Sequence, residues 1–189
     1  MIKIAILASG SGSNAENISR YFYDHKNIKI SYILSNKRDA FVLERAKKLG
    51  IPSKVFSNKE MKEQVDLLNL LKVEADFIVL AGFLLKVPEN IIEAFPNKII
   101  NIHPALLPNY GGKGMYGMHV HRAVKENKES ETGITIHFVN ENYDEGAIIF
   151  QAKTSLTAED SPETIAEKIH TLEQEHFPRV LEEVISKAM

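Results

Sequence analysis

Three short runs rich in Ile, Val and Leu, Lys3 to Ala8, Lys29 to Ser35 and Phe77 to Ala81, recur along the first part of the chain. A strand that is apolar on both faces belongs in a parallel sheet covered on either side by helices. The stretches between carry the helical period instead. Asp39 to Leu49 spaces Phe41, Val42, Arg45, Ala46 and Leu49 at helical intervals and stops at Gly50 with Pro52 beyond, a helix and its terminator. Val55-Phe56 continues the sheet, and a helix starting at Ser57 or Asn58 follows with Met61, Val65, Leu68 and Leu71 on its inner face. Lys98 to Ile102 is a further strand, ending just before His103-Pro104.

Beyond a glycine-rich stretch from Asn109 to Met118 the period changes to two. Ile134, Ile136 and Phe138 fall on one face and Thr135 and His137 on the other. A turn at Asp144-Glu145-Gly146 then leads into Ala147 to Gln151, the second arm of an antiparallel pair. Ser161-Pro162-Glu163 opens the last helix, with serine as N-cap and proline at the first helical position, and a bend is expected near Pro178. The expected fold is a single α/β domain over residues 1–189. Its sheet is open, twisted and mainly parallel, with helices on both faces (Rossmann-like) and an antiparallel pair toward the C-terminal part. A phosphate-binding half, 1–100, precedes a catalytic half, 101–189.

Composition narrows the function. With 23 Lys and Arg against 25 Asp and Glu, a formal charge of −2 and no basic block, the 189-residue chain lacks the clustered cationic footprint of a nucleic-acid binder. It has no cysteine, which removes disulfides, a thiolate nucleophile and Cys-ligated metals. The apolar run from Ile4 to Ala8 is too short for a secretory segment. The longest run, Phe77 to Leu85, falls well below the roughly 20 residues of a membrane span. A soluble, cytoplasmic protein acting on small molecules is expected.

Three motifs carry candidate chemistry. Gly10-Ser11-Gly12-Ser13-Asn14-Ala15 follows a strand and opens a helix, where backbone N–H groups and the helix dipole favour an anion; a plain tight turn with a serine cap is the alternative. Read as a dinucleotide loop it lacks the acidic residue about 20 positions on, since Ser35-Asn36 stands there, so a monophosphate fits better than NAD. Asn101-Ile102-His103-Pro104 ends a strand, where open α/β sheets build their sites, and alternation puts the amide and the imidazole on one face. Such a pair suits an oxyanion and a mobile proton, although an Asn and a His at a strand end are also common structural residues. Asp144 is placed to orient and charge the histidine, or simply to make its turn. Asn, His and Asp without a Ser or Cys nucleophile suggest direct attack of one substrate on another.

These residues resemble the phosphoribosylglycinamide formyltransferases of purine synthesis, within the wider formyltetrahydrofolate-using transferases. The carriers are Ile6 to Asn14, Ser35-Asn36-Lys37, Ala81-Gly82-Phe83, Asn101 to Pro108, His119-Val120-His121, and Gly133 to Val139 leading to Asp144-Glu145-Gly146, in family order along essentially the whole chain. The resemblance implies attack by the amine of glycinamide ribonucleotide on the formyl carbon of 10-formyltetrahydrofolate, the formyl-donor cosubstrate. It implies catalytic roles for Asn101, His103 and Asp144, with His119 in support. It assigns Gly12, Ser13 and Asn14 to the substrate phosphate, with Pro104 and Glu173 also contacting that substrate. Leu85 and Val87, with Val139, Asn140 and Glu141, are assigned to the folate.

Leu85 stands where relatives often carry an arginine facing the folate glutamate, which leaves Lys86, Lys59 or water for that carboxylate. His119-x-His121 lacks a third ligand at zinc-like spacing, so no metal is expected. His25, His137, His170 and His176 read as surface or core residues, with His170 one turn before Glu173. The rivals are a formyltetrahydrofolate hydrolase, a transferase acting on methionyl-tRNA, for whose extra domains the chain has no room, and a catalytically silent phosphate- or nucleotide-binding module.

Overall fold

Ile2–Leu7 forms β1, the strand from which the first part of the fold is built in both directions. The computed structural model describes residues 1–63 and 65–188, arranged as two compact units, Met1–Asn101 and Ile102–Met189. In the first unit β2 (Ile28–Ser35) lies beside β1, and β3 (Ser53–Val55) lies outside β2. On the other side of β1 come β4 (Phe77–Leu80) and β5 (Ile99–His103), whose last two residues belong to the second unit. The order β3-β2-β1-β4-β5 is parallel at every step, as the apolar runs predict.

Helices α1 (Ser13–Tyr21) and α2 (Val42–Lys48) connect strands running outward from β1, and they touch each other. The chain then returns past β1 through the helical segments α3 (Asn58–Glu63) and α4 (Val65–Glu74), and α5 (Glu89–Ala94) continues in the same direction. Right-handed crossovers put these later helices on the opposite face. Met61 and Leu71 are buried as predicted, Leu68 is only half-buried while its neighbour Leu67 is buried, and the side chain of Val65 lies outside those described. Ile4, Ile6, Ile33, Ile78 and Val79 are fully buried, each adding roughly 1.5–3 kcal/mol of apolar transfer. Strand order reverses between β1 and β4, and the carboxyl ends there are where such sheets hold ligands.

In the second unit β6 (Glu131–Phe138) and β7 (Ile148–Ser155) pair antiparallel, Thr135 facing Gln151. The alternation predicts the pair correctly, but both faces of β6 are covered: Thr135 and His137 are as buried as Ile134 and Ile136. An unpaired hydroxyl at such a position would cost about 1–3 kcal/mol. Thr135 avoids that by donating to the Ala105 carbonyl (2.7 Å) and accepting from the Leu107 amide (3.0 Å) and the Gln151 side chain (2.9 Å). The backbone after β5 is thereby pinned to β6.

Helix α6 (Met118–Glu126), which the sequence pattern left inside and beyond a loop, packs against α7 (Pro162–Lys187). Ser161 caps α7 as predicted, accepting from the Thr164 amide at 3.2 Å, and the helix continues through the buried Pro178. Ahead of that cap, Asp160 accepts from the Lys168 ammonium and the Thr157 amide, both at 2.7 Å, which hold its carboxyl below the usual Asp range. A lowered acid contributes stability above its ordinary pKa, near 3.9, and loses it as pH falls through the lowered value. Asp160→Asn is therefore expected to melt earlier than the parent at neutral pH. The gap should begin to narrow as pH falls below about 4 and close only once pH has passed below the lowered value, where the folded parent is protonated too; melting curves from neutral to strongly acid pH measure it.

Candidate active site

The glycine turn after β1 is tightly built and opens directly into a helix. Gly12 has φ +74, and a Cβ there would lie 2.3 Å from Val42 Cγ2 and 2.8 Å from the Val42 backbone, so only glycine fits. Helix α1 starts directly after it, with Gly12 at the N-cap and no side-chain cap hydrogen bond. Its first N–H groups face the turn, with the positive end of the helix dipole behind them. Gly12 and Asn14 are buried and Ser13 is partly so. Val42 also donates its amide to the Gly10 carbonyl (3.2 Å) and Arg45 Nε donates to the Ser11 carbonyl (2.8 Å), so α2 braces the turn from outside. Arg45 pairs as well with Glu16, which the i+4 residue Arg20 also holds.

Ser9 ties together the ends of strands β1, β2 and β4. Its hydroxyl donates to Asn36 Oδ1 (2.6 Å) and accepts from the Leu84 amide (2.9 Å), and its own amide donates to the Gly82 carbonyl (3.0 Å). Asn36, where a dinucleotide fold would place a ribose-binding acid, thus serves as a brace. Just beyond, Leu85 is half-buried and Val87 is buried. Asn101 is half-buried at the last position of β5 that pairs with β4, opposite Leu80.

In the second unit the imidazole of His103 is buried, with Nδ1 3.6 Å from Asp144 Oδ2 and Nε2 2.7 Å from the Tyr110 carbonyl. Asp144 has φ +56, a left-handed turn that Asp tolerates better than most residues, and it accepts from the Gly112 amide at 2.9 Å. A second histidine, which by its place in the sequence reads as a surface or core residue, completes this group. His137 is buried, with Nε2 3.7 Å from Asp144 Oδ1, and its Nδ1–H donates to the Phe138 carbonyl (2.8 Å). Burial pushes its pKa down, more than that bond and the carboxylate pull it up, so the ring is neutral near pH 7. Alternation alone carried the signal: His137 shares a face with the fully buried Thr135.

The two histidines of the His-x-His pair sit in different surroundings. His119 is exposed, its ring edge-on to Tyr116 at 5.2 Å, whereas His121 is buried and its Nδ1 has no hydrogen-bond partner. Burial lowers the His121 pKa, with Glu173 acting against that and His103 adding to it, which puts all three in one electrostatic neighbourhood. Glu173 is no solvated helix carboxylate: its side chain is 14% exposed and stands 3.6 Å from His170 Nδ1, which it raises. Pro104, Val139 and Asn140 are half-buried and Glu141 is exposed. Among the described residues no group of His, Asp and Glu is arranged to hold a metal ion, and no helix is long and apolar enough to cross a membrane.

A family model described as formyl transferase matches residues 2–181. The chain is 42% identical over 183 residues to the chloroplastic phosphoribosylglycinamide formyltransferase of Arabidopsis thaliana, an alignment covering 92% of this chain and 61% of that one. It is 38% identical over 187 residues to the phosphoribosylglycinamide formyltransferase of Haemophilus influenzae, covering 96% and 86% of the two chains. The crystal structure of the Bacillus halodurans phosphoribosylglycinamide formyltransferase superposes with a TM-score of 0.88 at 33% identity, covering 99% of this chain and 97% of that one. This chain spans about three fifths of the length of the chloroplastic relatives, 61% and 60%.

Proposed function

From the premise that the chain belongs to the formyl transferase family, matched over residues 2–181, we propose that it moves the formyl group of 10-formyltetrahydrofolate onto the amine of glycinamide ribonucleotide. The observation that carries this reading is a buried imidazole, His103, whose two ring nitrogens face a carboxylate at 3.6 Å and a backbone carbonyl at 2.7 Å rather than a serine hydroxyl, in a chain without cysteine. That set handles protons but forms no covalent intermediate of its own.

The amine nitrogen adds to the formyl carbon, and the formyl oxygen takes up the negative charge, which the Asn101 amide stabilises. The bond from carbon to the folate nitrogen then breaks, its electron pair leaving with that nitrogen. The amine has lost one proton and the folate nitrogen has gained one, so the products are an N-formyl amide and tetrahydrofolate. His103 carries the proton, and Asp144 stabilises the imidazolium formed on the way. In the first unit Gly12, Ser13 and Asn14 take the phosphate, a role supported by the uncapped helix start. Pro104 and Glu173 meet the rest of that substrate. Leu85, Val87, Val139, Asn140 and Glu141 contact the folate, and the exposed His119 remains in support.

Purified protein given both substrates is expected to release tetrahydrofolate and formylated product in equal amounts. Formate release at the same rate without the amine would make the enzyme a hydrolase, and no turnover at all would leave a phosphate-binding module.

A further inference from the structure

The proton on His103 has a defined place. Its Nε2 lies 2.7 Å from the Tyr110 carbonyl oxygen, and a carbonyl only accepts, so Nε2 bears the hydrogen and Nδ1 is the basic atom of the neutral ring. That carbonyl needs holding. Tyr110 has φ +57, a left-handed conformation that residues with a Cβ seldom adopt. The far end of the same side chain is anchored: its hydroxyl donates to Glu129 Oε1 (2.6 Å) and accepts from Asn127 Nδ2 (2.8 Å), both just past α6. Burial, followed by Glu129, raises the phenol above its ordinary pKa, so the donor keeps its hydrogen.

The next residues grip the other half of the pair. The Gly112 amide donates to Asp144 Oδ2, and a Cβ on Gly111 would lie 2.6 Å from Leu107 Cδ2 and 3.3 Å from Asp144 Cβ. Residues 110–112 thus reach both His103 and Asp144 through backbone atoms.

We infer that Tyr110 is a positioning residue: its hydroxyl, held by Asn127 and Glu129, keeps its own carbonyl on His103 Nε2 and so selects the tautomer whose Nδ1 takes the proton. The consequence for turnover rests on the function proposed above; the tautomer is observable without turnover.

Nitrogen-15 NMR of the ring nitrogens in the full chain, with the His103 signals identified by their loss in His103→Ala, is expected to show hydrogen on Nε2 in the parent. Tyr110→Phe keeps the ring and removes the anchor. It should give a mixture of the two tautomers and lower kcat about tenfold, with both KM values within about twofold. Glu129→Ala, which leaves Tyr110 in place, should move both readouts the same way, with melting curves establishing that each variant is folded. Hydrogen on Nδ1 in the parent, or an unaltered tautomer in both variants, overturns the inference even if kcat falls, since the tyrosine would then be only a loop brace. A tautomer shift in a protein that transfers no formyl group leaves the positioning role standing and defeats the function reading instead.

Discussion

His103→Ala is expected to lower kcat by about 10²–10⁴-fold, the range that a positioned acid or base contributes. Glycinamide ribonucleotide should still bind in a calorimeter, because the glycine turn, its Val42 and Arg45 braces and the Ser9 tie all belong to the first unit and make no use of this ring. Asp144→Ala should fall in the same direction, since the carboxylate at 3.6 Å is what an imidazolium would meet. The losses should not add in the double variant, because the two groups act as a unit. Turnover retained in either single variant would end the assignment of these residues.

Gly146→Ala is expected to damage stability and turnover together. A Cβ at this position would sit 1.7 Å from the Phe138 carbonyl oxygen and 2.6 Å from its carbon, and backbone cannot rotate away as a side chain does. Overpacking of this kind costs about 1–3 kcal/mol or more, which for a chain of this size lowers Tm by roughly 5 °C. The same carbonyl accepts from His137 Nδ1, and Phe138 donates its amide to Ala147 at 3.0 Å. The strain therefore falls on the turn that carries Asp144 and on the second histidine beside it. Thermal melts and kcat measured on one preparation test this. A variant that melts and turns over like the parent would mean the turn has slack that the packing around Phe138 denies.

Parts of this molecule were legible before any coordinates. The strands β1, β2 and β4 are local runs of buried apolar residues, and Ser161-Pro162 states the start of α7 in adjacent letters. Helices α5 and α6 were not legible. The first has six residues, too few to display a period, and the second begins directly after a glycine-rich stretch, with Val120, His121 and Val124 forming a short buried stripe. The expectation that His119 supports the site came from a motif that cannot say which of two histidines, two positions apart on a helix, turns inward. In the folded helix α6 it is His121 that is buried.

By itself the sequence determined the parallel sheet, the turn after β1 and the residue types fit for proton and anion chemistry, because each depends on neighbours within a few positions. Only the tertiary structure decided that His137 joins Asp144, that Glu173 is enclosed, and that the hydrogen of His103 is directed to Tyr110. The physical reason is that these are long-range contacts, and the last is made by a backbone carbonyl. Every residue owns one, so no letter in the chain marks the one that matters.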